Sequence, residues 1–260
     1  MKGRQRSTAR WLRPVVQASF VALAAVLGLR RFWGVEKSFD ATCPFGGAAT
    51  IWQRIAHGVF LRETGPLNLV LLGGLVIVSL FVGRAFCGWA CPLGAVQEAI
   101  AWVVARLSKG RITGRRALPS WLDRALRYLK VGVLAAVIWA SATSLVPPLI
   151  PFCPYRTLFT LNLGSLLGWS VLVGMVLSSI VVERFWCRYL CPLGALLAPT
   201  NWVSLWRIRF NHESCISCGR CDRVCPMDLD VPREAERGAE CIRCTACTQA
   251  CPRDEALHSR

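Results

Sequence analysis

Three features of this 260-residue chain predict a mainly α-helical scaffold set in a membrane, built from two parallel repeats and followed by a small α+β segment. Four long stretches are apolar, with interiors free of charge. A run of twelve residues recurs one hundred positions later. The C-terminal stretch carries eight cysteines in a doubled spacing.

The apolar spans come first. They run from about Pro14 to Leu29, Pro66 to Phe86, Val131 to Ile150 and Leu163 to Val182. Each is long enough, or nearly so, for a hydrocarbon layer of ~30 Å. Pro14 reads as a first helical residue, where its missing N–H costs nothing. Pro147, Pro148 and Pro151 end the third span, because proline cannot continue a regular helix. The composition agrees: 54% of residues are hydrophobic and the mean hydropathy is +0.42. Residues 30–35 offer no small-residue cleavage site, so the first span reads as an uncleaved anchor rather than a signal peptide.

The formal net charge is +16. The basic residues stand between apolar spans, so they orient the chain in a bilayer, and no nucleic-acid partner is read from them. Lys2, Arg4, Arg6, Arg10 and Arg13 precede the first span, and eight Lys and Arg lie between the second and third. Only Arg156 lies between the third and fourth. Positive charge stays inside, which places both termini in the cytoplasm of a bacterial-type inner membrane. The expected divisions are a basic N-terminus (1–13), a first half-repeat (14–105), a basic linker (106–130), a second half-repeat (131–205) and the C-terminal segment (206–260).

The repeat is direct. Arg84-Ala-Phe-Cys87-Gly-Trp-Ala-Cys91-Pro-Leu-Gly-Ala95 matches Arg184-Phe-Trp-Cys187-Arg-Tyr-Leu-Cys191-Pro-Leu-Gly-Ala195. A lone Cys-Pro precedes each, at Cys43 and Cys153. Two halves in the same orientation imply a pseudo-two-fold axis along the membrane normal.

The C-terminal run reads Cys215-x-x-Cys218-x-x-Cys221-x-x-x-Cys225-Pro226, then Cys241-x-x-Cys244-x-x-Cys247-x-x-x-Cys251-Pro252. This is iron–sulfur spacing, in which three cysteines hold one cubane and the fourth reaches to the other. It predicts a double-cubane ferredoxin domain, with one 4Fe-4S cluster on Cys215, Cys218, Cys221 and Cys251. The other takes Cys241, Cys244, Cys247 and Cys225. Zinc prefers two paired spacings, which this run lacks. So small a domain draws much of its folding energy from the metal.

The paired Cys-x-x-x-Cys-Pro motifs put Cys87 and Cys91, and Cys187 and Cys191, at i and i+4, on one side of a helix. Three readings fit them: a further iron–sulfur centre, a redox thiol pair, or inert buried thiols. A cysteine pair repeated within a repeated segment favours the metal. Cys43 and Cys153 fall near the outer face. There they could form a disulfide, line a redox site, or dip inward to complete a cluster. His57 is the one imidazole near that face and would suit proton transfer from a quinol, ahead of Asp40 and Glu63; a solvated histidine is the plainer reading. Trp89, Trp186 and Tyr189 read as packing and interfacial anchors. Arg84 and Arg184 read as snorkelling to the inner surface, or as neutralising a cluster's charge. The chain has three histidines, none in an apolar span, and no Cys-x-x-Cys-His, which argues against haem.

With these motifs the chain resembles the NapH/MauN-type membrane-bound ferredoxins, relatives of the membrane part of NosR. The resemblance rests on the four spans, Cys87/Cys91-Pro92, Cys187/Cys191-Pro192 and the eight tail cysteines, and it covers nearly the whole chain. It implies a quinol dehydrogenase role, with quinone as substrate and electrons passed to a partner redox subunit. Neither the flavin-binding region of NosR nor a periplasmic domain is read in the sequence, so the final acceptor is expected to be another chain. Two other functions fit the same residues: an electron-donating maturation factor for another metalloenzyme, and a passive anchor for a redox complex. Cytoplasmic cubanes and an outer quinol site stand on opposite sides of ~30 Å of hydrocarbon. Either the membrane cysteines bridge that gap, or the quinone site lies on the inner side.

Overall fold

The computed structural model describes residues 2–33, 51, 67–109, 118–143, 153–160, 166–253 and 255–259. Cys43, His57, Asp40, Glu63 and the proline-rich end of the third span lie outside these residues.

Helix α1 runs Lys2–Phe32. Pro14 sits inside it rather than opening it. The preceding stretch is rich in Arg, with Lys2, Gln5, Ala9 and Leu12 beside it, residues that favour helix and extend it toward the N-terminus. Then come α2 (Leu67–Val82), α3 (Ala85–Trp89), α4 (Pro92–Leu107), α5 (Ser120–Thr143), α6 (Pro154–Thr160) and α7 (Leu166–Val181). A π-helix (Trp186–Leu190), α8 (Pro192–Leu197) and α9 (Thr200–Val203) complete the helical part. Among the described residues, one helix is long and apolar enough to cross a membrane, Trp11–Arg30. Leu69–Val82 and Leu166–Val181 are apolar but shorter. A helix of 16 residues reaches about 24 Å. The third span belongs to α5, which starts well before Val131 and takes Asp123, Arg124, Arg127 and Lys130 with it. Part of the stretch expected as linker is therefore helix, because its charges have partners inside the fold.

The two halves pack alike. Helix α1 lies on α4, and α5 lies on α8. These are the same contact made twice, since α1 and α5 are the first helices of their halves and α4 and α8 follow the second cysteines. Helix α4 also packs on α7, joining the halves. Leu93, Leu172 and Met175 form the apolar seam there.

The C-terminal segment is a small α+β unit. Strands β1 (Ile208–Phe210) and β2 (Leu257–Ser259) pair antiparallel, with Ile208 opposite Ser259 and Phe210 opposite Leu257. Short helices α10 (Arg220–Arg223), α11 (Val231–Glu234) and α12 (Ala246–Ala250) lie between. Its core is continuous with the helical part: Leu75, Cys87 and Leu197 share one buried cluster with Ile208, Met227, Cys241 and Cys244.

Two buried charge trios lock this arrangement. Helix α4 supplies Glu98, which pairs with Arg13 of α1 and with Arg184 (Nε to Oε1, 3.0 Å). The C-terminal unit supplies Glu240, which pairs with Lys130 of α5 and with Arg84 (3.3 Å). Arg84 and Arg184 are equivalent in the repeat, and Arg13 and Lys130 occupy equivalent first helices. The residue equivalent to Glu98 is Ala198. The second half lacks its own carboxylate, and the C-terminal unit brings one in. Asn201, fully buried, completes the seam. Its amide donates to the carbonyls of Gly238 (2.9 Å) and Cys241 (2.8 Å), and its Oδ1 accepts from the Arg84 backbone N–H (2.9 Å).

Each buried group left unpaired costs about 1–3 kcal/mol. Asn201→Ala is therefore expected to lower the thermal unfolding midpoint of the detergent-solubilised chain and to speed proteolytic release of the C-terminal unit. Wild-type melting and cleavage rates would refute this. Glu98 gives a pH test. Burial pushes its carboxyl up, but Arg184 and Arg13 outweigh that and hold its pKa at about 2, against an ordinary 4.5. A depressed carboxylate stabilises the fold above the unfolded value and loses that contribution as pH falls from about 4.5 toward 2. The contribution is on the order of 3 kcal/mol. Glu98→Gln is expected to flatten that part of the acid-unfolding curve, measured by circular dichroism.

Candidate iron–sulfur centres

Both tail motifs adopt the same local backbone. In Cys215-Ile-Ser-Cys218-Gly-Arg-Cys221, Ser217 has φ 51° and Gly219 φ 62°. In Cys241-Ile-Arg-Cys244-Thr-Ala-Cys247, the equivalent Arg243 and Thr245 have φ 51° and 58°. Left-handed residues curl each loop so that its thiols converge, and α10 and α12 start directly after the second left-handed residue. Arg243 is held in this conformation by bonds to Ser204 Oγ (2.8 Å) and the Asn201 carbonyl (3.2 Å).

The eight tail cysteines divide between two cavities. One, of about 280 Å³, is lined by Cys215, Cys218, Cys221 and Cys251. The other, small and closed, is lined by Cys225, Cys241, Cys244 and Cys247 among Ile208, Met227, Leu229 and Val231. In each, a cysteine from the far end of one motif joins three from the other. Burial, then repulsion from Cys244, pushes the Cys225 thiol up to about 12, and burial pushes Cys241 to about 11. Four thiolates in such a place need compensating positive charge, which iron supplies as it displaces the protons. Among the described residues no three His, Cys, Asp or Glu side chains converge tightly enough for a single metal ion. A cubane holds its sulfur ligands at four separate corners, so its ligand set is wider than that of one ion.

The Cys-x-x-x-Cys-Pro pairs differ from expectation in one respect. The two cysteines of a pair do not share a helix. Cys87 lies within α3 and Cys187 within the π-helix, while Cys91 and Cys191 stand at the elbows before α4 and α8. Both second cysteines are extended, with ψ 112°. The cause is the following proline, which disfavours helical backbone in the residue before it. In both halves the second cysteine's N–H bonds five residues back, Cys91 to Phe86 and Cys191 to Trp186. The elbows face each other across the halves. Burial, then Cys187 and Cys87, push the Cys91 thiol up. Burial and then the same two thiols push up Cys191, with a smaller part from Cys91. All four thiols therefore lie within electrostatic reach of one another.

The arginines cross over. Arg184 donates to the Cys87 carbonyl (2.6 Å) and lies against Gly94 of the first half, while Arg84 lies against Gly194 of the second. Neither snorkels: they are 1% and 0% exposed. The Nη2 of Arg184 and the Nε of Arg84 are buried without a hydrogen-bond partner. Tyr189 is likewise no interfacial anchor; it is buried and its hydroxyl donates to Asp123. Trp89 donates to the Arg243 carbonyl (3.0 Å), tying the first elbow to the second tail loop. There Gly88 is necessary, because any Cβ would collide with the Ile242 carbonyl oxygen beside Cys244. Cys153 stands just before α6, accepting from the Thr157 N–H (3.2 Å).

Gln97 is a site residue that no motif marks. It is fully buried, donates to Cys187 Sγ (3.3 Å) and accepts from the Trp186 N–H (3.0 Å). A Gln-Glu pair inside an otherwise apolar helix is the signal that could have found it and Glu98.

Residues 64–111 and 161–211 both match a family described as a 4Fe-4S binding domain, and residues 207–252 match a 4Fe-4S dicluster domain. The methylamine utilization ferredoxin-type protein MauN of Methylorubrum extorquens is 30% identical over 233 residues, covering 86% of this chain and 77% of the relative. YccM of Escherichia coli is 33% identical over 73% of this chain and 54% of its own length. The ferredoxin-type protein NapH of Haemophilus influenzae is 32% identical over 62% and 55%. The chain thus spans about half the length of YccM and NapH. No solved structure matches it. With its repeated cysteine elbows and its doubled C-terminal cysteine run, the chain belongs to the NapH/MauN family of ferredoxin-type electron-transport proteins.

Proposed function

We propose that this chain is a membrane-integral electron-transfer subunit that exchanges electrons between the quinone pool and a partner oxidoreductase. In this reading Cys215, Cys218, Cys221 and Cys251 hold one 4Fe-4S cluster, and Cys241, Cys244, Cys247 and Cys225 hold a second. Cys87, Cys91, Cys187 and Cys191 hold a further iron–sulfur centre between the halves. The observation that carries the reading is the division of the tail cysteines between two cavities, with the elbow thiols packed against the second through Gly88. When bound, such clusters take up and release single electrons.

The chain's own residues would bind, insulate and compensate. Apolar Ile208, Met227, Leu229 and Val231 exclude water from the second cavity. Arg84 and Arg184 place full positive charges beside the elbow thiols, where four thiolates and a cluster would otherwise accumulate negative charge. Gln97 directs an amide N–H at Cys187, and hydrogen bonds to ligand sulfur raise a cluster's potential. Membrane integration rests on Trp11–Arg30 and on the apolar, outward-facing surfaces of α2 and α7 (Ile77 and Leu177 among them). The positive-inside pattern puts the C-terminal unit in the cytoplasm. His57, Cys43 and Cys153 keep open roles on the other side.

Three cubanes bring about twelve irons per chain, and the two tail clusters about eight. Chemical analysis of anaerobically purified protein is expected to give the higher figure. The double variant Cys87→Ser/Cys187→Ser should fall to the lower one while keeping the tail clusters' electron paramagnetic resonance signals; a wild type with about eight irons would rule out the elbow centre. Arg184→Gln removes a buried positive charge and should make the midpoint potential of the elbow centre more negative, leaving the Cys215 cluster unmoved. Redox titration followed by the same spectroscopy reads both.

A further inference from the structure

A cleft of about 1120 Å³ lies between α5, the α8–α9 turn and the C-terminal unit. Neither the cysteine motifs nor the charge trios account for it. Its walls are of two kinds. Tyr128, Val131 and Trp202 form an apolar side, and they are 71%, 52% and 59% exposed. Farther along α5, Ile138 and Trp139 continue the exposed apolar surface. The C-terminal unit supplies polar residues on the opposite side, with Asp230 just before α11 and Glu234 as its last residue.

The cleft touches both cysteine cavities. Leu229 lines the cleft and also the cavity of Cys225, Cys241, Cys244 and Cys247. Asp222 lines the cleft and also the cavity of Cys215, Cys218, Cys221 and Cys251. The cleft therefore adjoins each set of thiols through a shared wall residue.

Charge narrows the ligand class. Six carboxylates line the cleft against three cations, Arg124, Arg127 and Lys130. The cations are engaged where the structure shows their bonds: Arg127 with Asp123 (2.7 Å), and Lys130 with Glu240. A phosphate headgroup would meet net negative charge. A neutral ring with oxygens at its edge would not. The volume is ample for such a ring and the start of an apolar tail, since small-molecule sites run to about 300–1,000 Å³.

We propose that this cleft binds the ring of a lipid-soluble quinol, entering between Tyr128 and Trp202, with Glu234 as proton acceptor. This rests on the reading of the tail cysteines as cluster ligands, and it puts the quinone site on the inner side. On oxidation the two ring O–H bonds break. One proton goes to the Glu234 carboxylate and one to water at the open mouth. With both tail clusters bound and oxidised, the two electrons would pass one to each, leaving the ring as a quinone. Glu234 is half-buried. Burial raises its pKa, Arg127 opposes, Asp230 and Glu240 add to the rise, and Arg124 opposes weakly. The carboxylate is thus a better base than one in open water.

The test uses the full chain in detergent, with iron measured on the same sample, and a short-chain azido-ubiquinone as photoprobe. Labelling is expected on peptides containing Tyr128 or Trp202, reduced at least tenfold by excess unlabelled short-chain ubiquinone. Ala198→Trp fills the cleft and Trp202→Ala removes its wall; either should reduce labelling several-fold, and the second lies at the surface, where folding is not at risk. Glu234→Gln should retain the label but slow cluster reduction by a short-chain quinol, while dithionite reduces it as it does wild type. Label elsewhere, label indifferent to competitor, or label displaced by phosphatidylglycerol but not by quinone overturns the site. Cleft labelling in iron-free protein would support the site and sink the cluster reading instead. Full iron with no cleft label would do the reverse.

Discussion

Two buried arginines, Arg84 and Arg184, set the constraint on which the rest of this structure depends. A guanidinium in a dry interior is costly unless a carboxylate and further acceptors satisfy it. Each arginine reaches out of its own half, so neither half can be completed alone. Arg184 needs Glu98 and the Cys87 carbonyl of the first half. Arg84 needs Glu240 and the Ala239 carbonyl of the C-terminal unit. Removing one partner from such a buried pair typically costs about 3–5 kcal/mol, a large part of a domain's net stability.

That constraint explains why the C-terminal unit is fused to the helical part rather than tethered to it. The repeat placed Glu98 in one half and Ala198 in the other. Glu240 fills the missing position, and in doing so seats Cys241 and Cys244 against the first elbow. Arg127 adds bonds to the Met227 and Asp228 carbonyls (3.0 Å each), and Arg188 pairs with Asp228 (3.0 Å). Arg127 and Lys130, among the positive charges between the second and third apolar stretches, therefore clamp the unit that carries the tail cysteines.

Close seating has a functional consequence. Electron transfer demands short gaps, and backbone contact holds the first elbow close to the second tail loop. Gly88 permits that contact at the first elbow, and Leu229 and Asp222 are shared between the tail cavities and the neighbouring cleft. The same clamp leaves a cleft between α5 and the C-terminal unit, because the two are held together by side chains at one edge rather than by a flush apolar face.

Local chemistry was readable from the chain alone. The doubled cysteine spacing, the prolines after Cys91 and Cys191, and the repeat from Arg84 to Ala95 each follow from neighbours in sequence, and runs of uncharged apolar residues marked the stretches that form much of α1, α2 and α7. Pro14 misled because the helix formers before it outweigh one missing N–H. The elbows were missed because i, i+4 geometry presumes an unbroken helix, and Pro92 and Pro192 break it. Arg84 and Arg184 read as snorkelling because sequence shows a charge at a span end but not what stands opposite. Gln97, Glu98, Asn201 and Glu240 acquire meaning only through partners up to more than a hundred residues away. Burial of a polar group is decided by long-range packing, and that packing has no signature in a local window; it had to be seen in three dimensions.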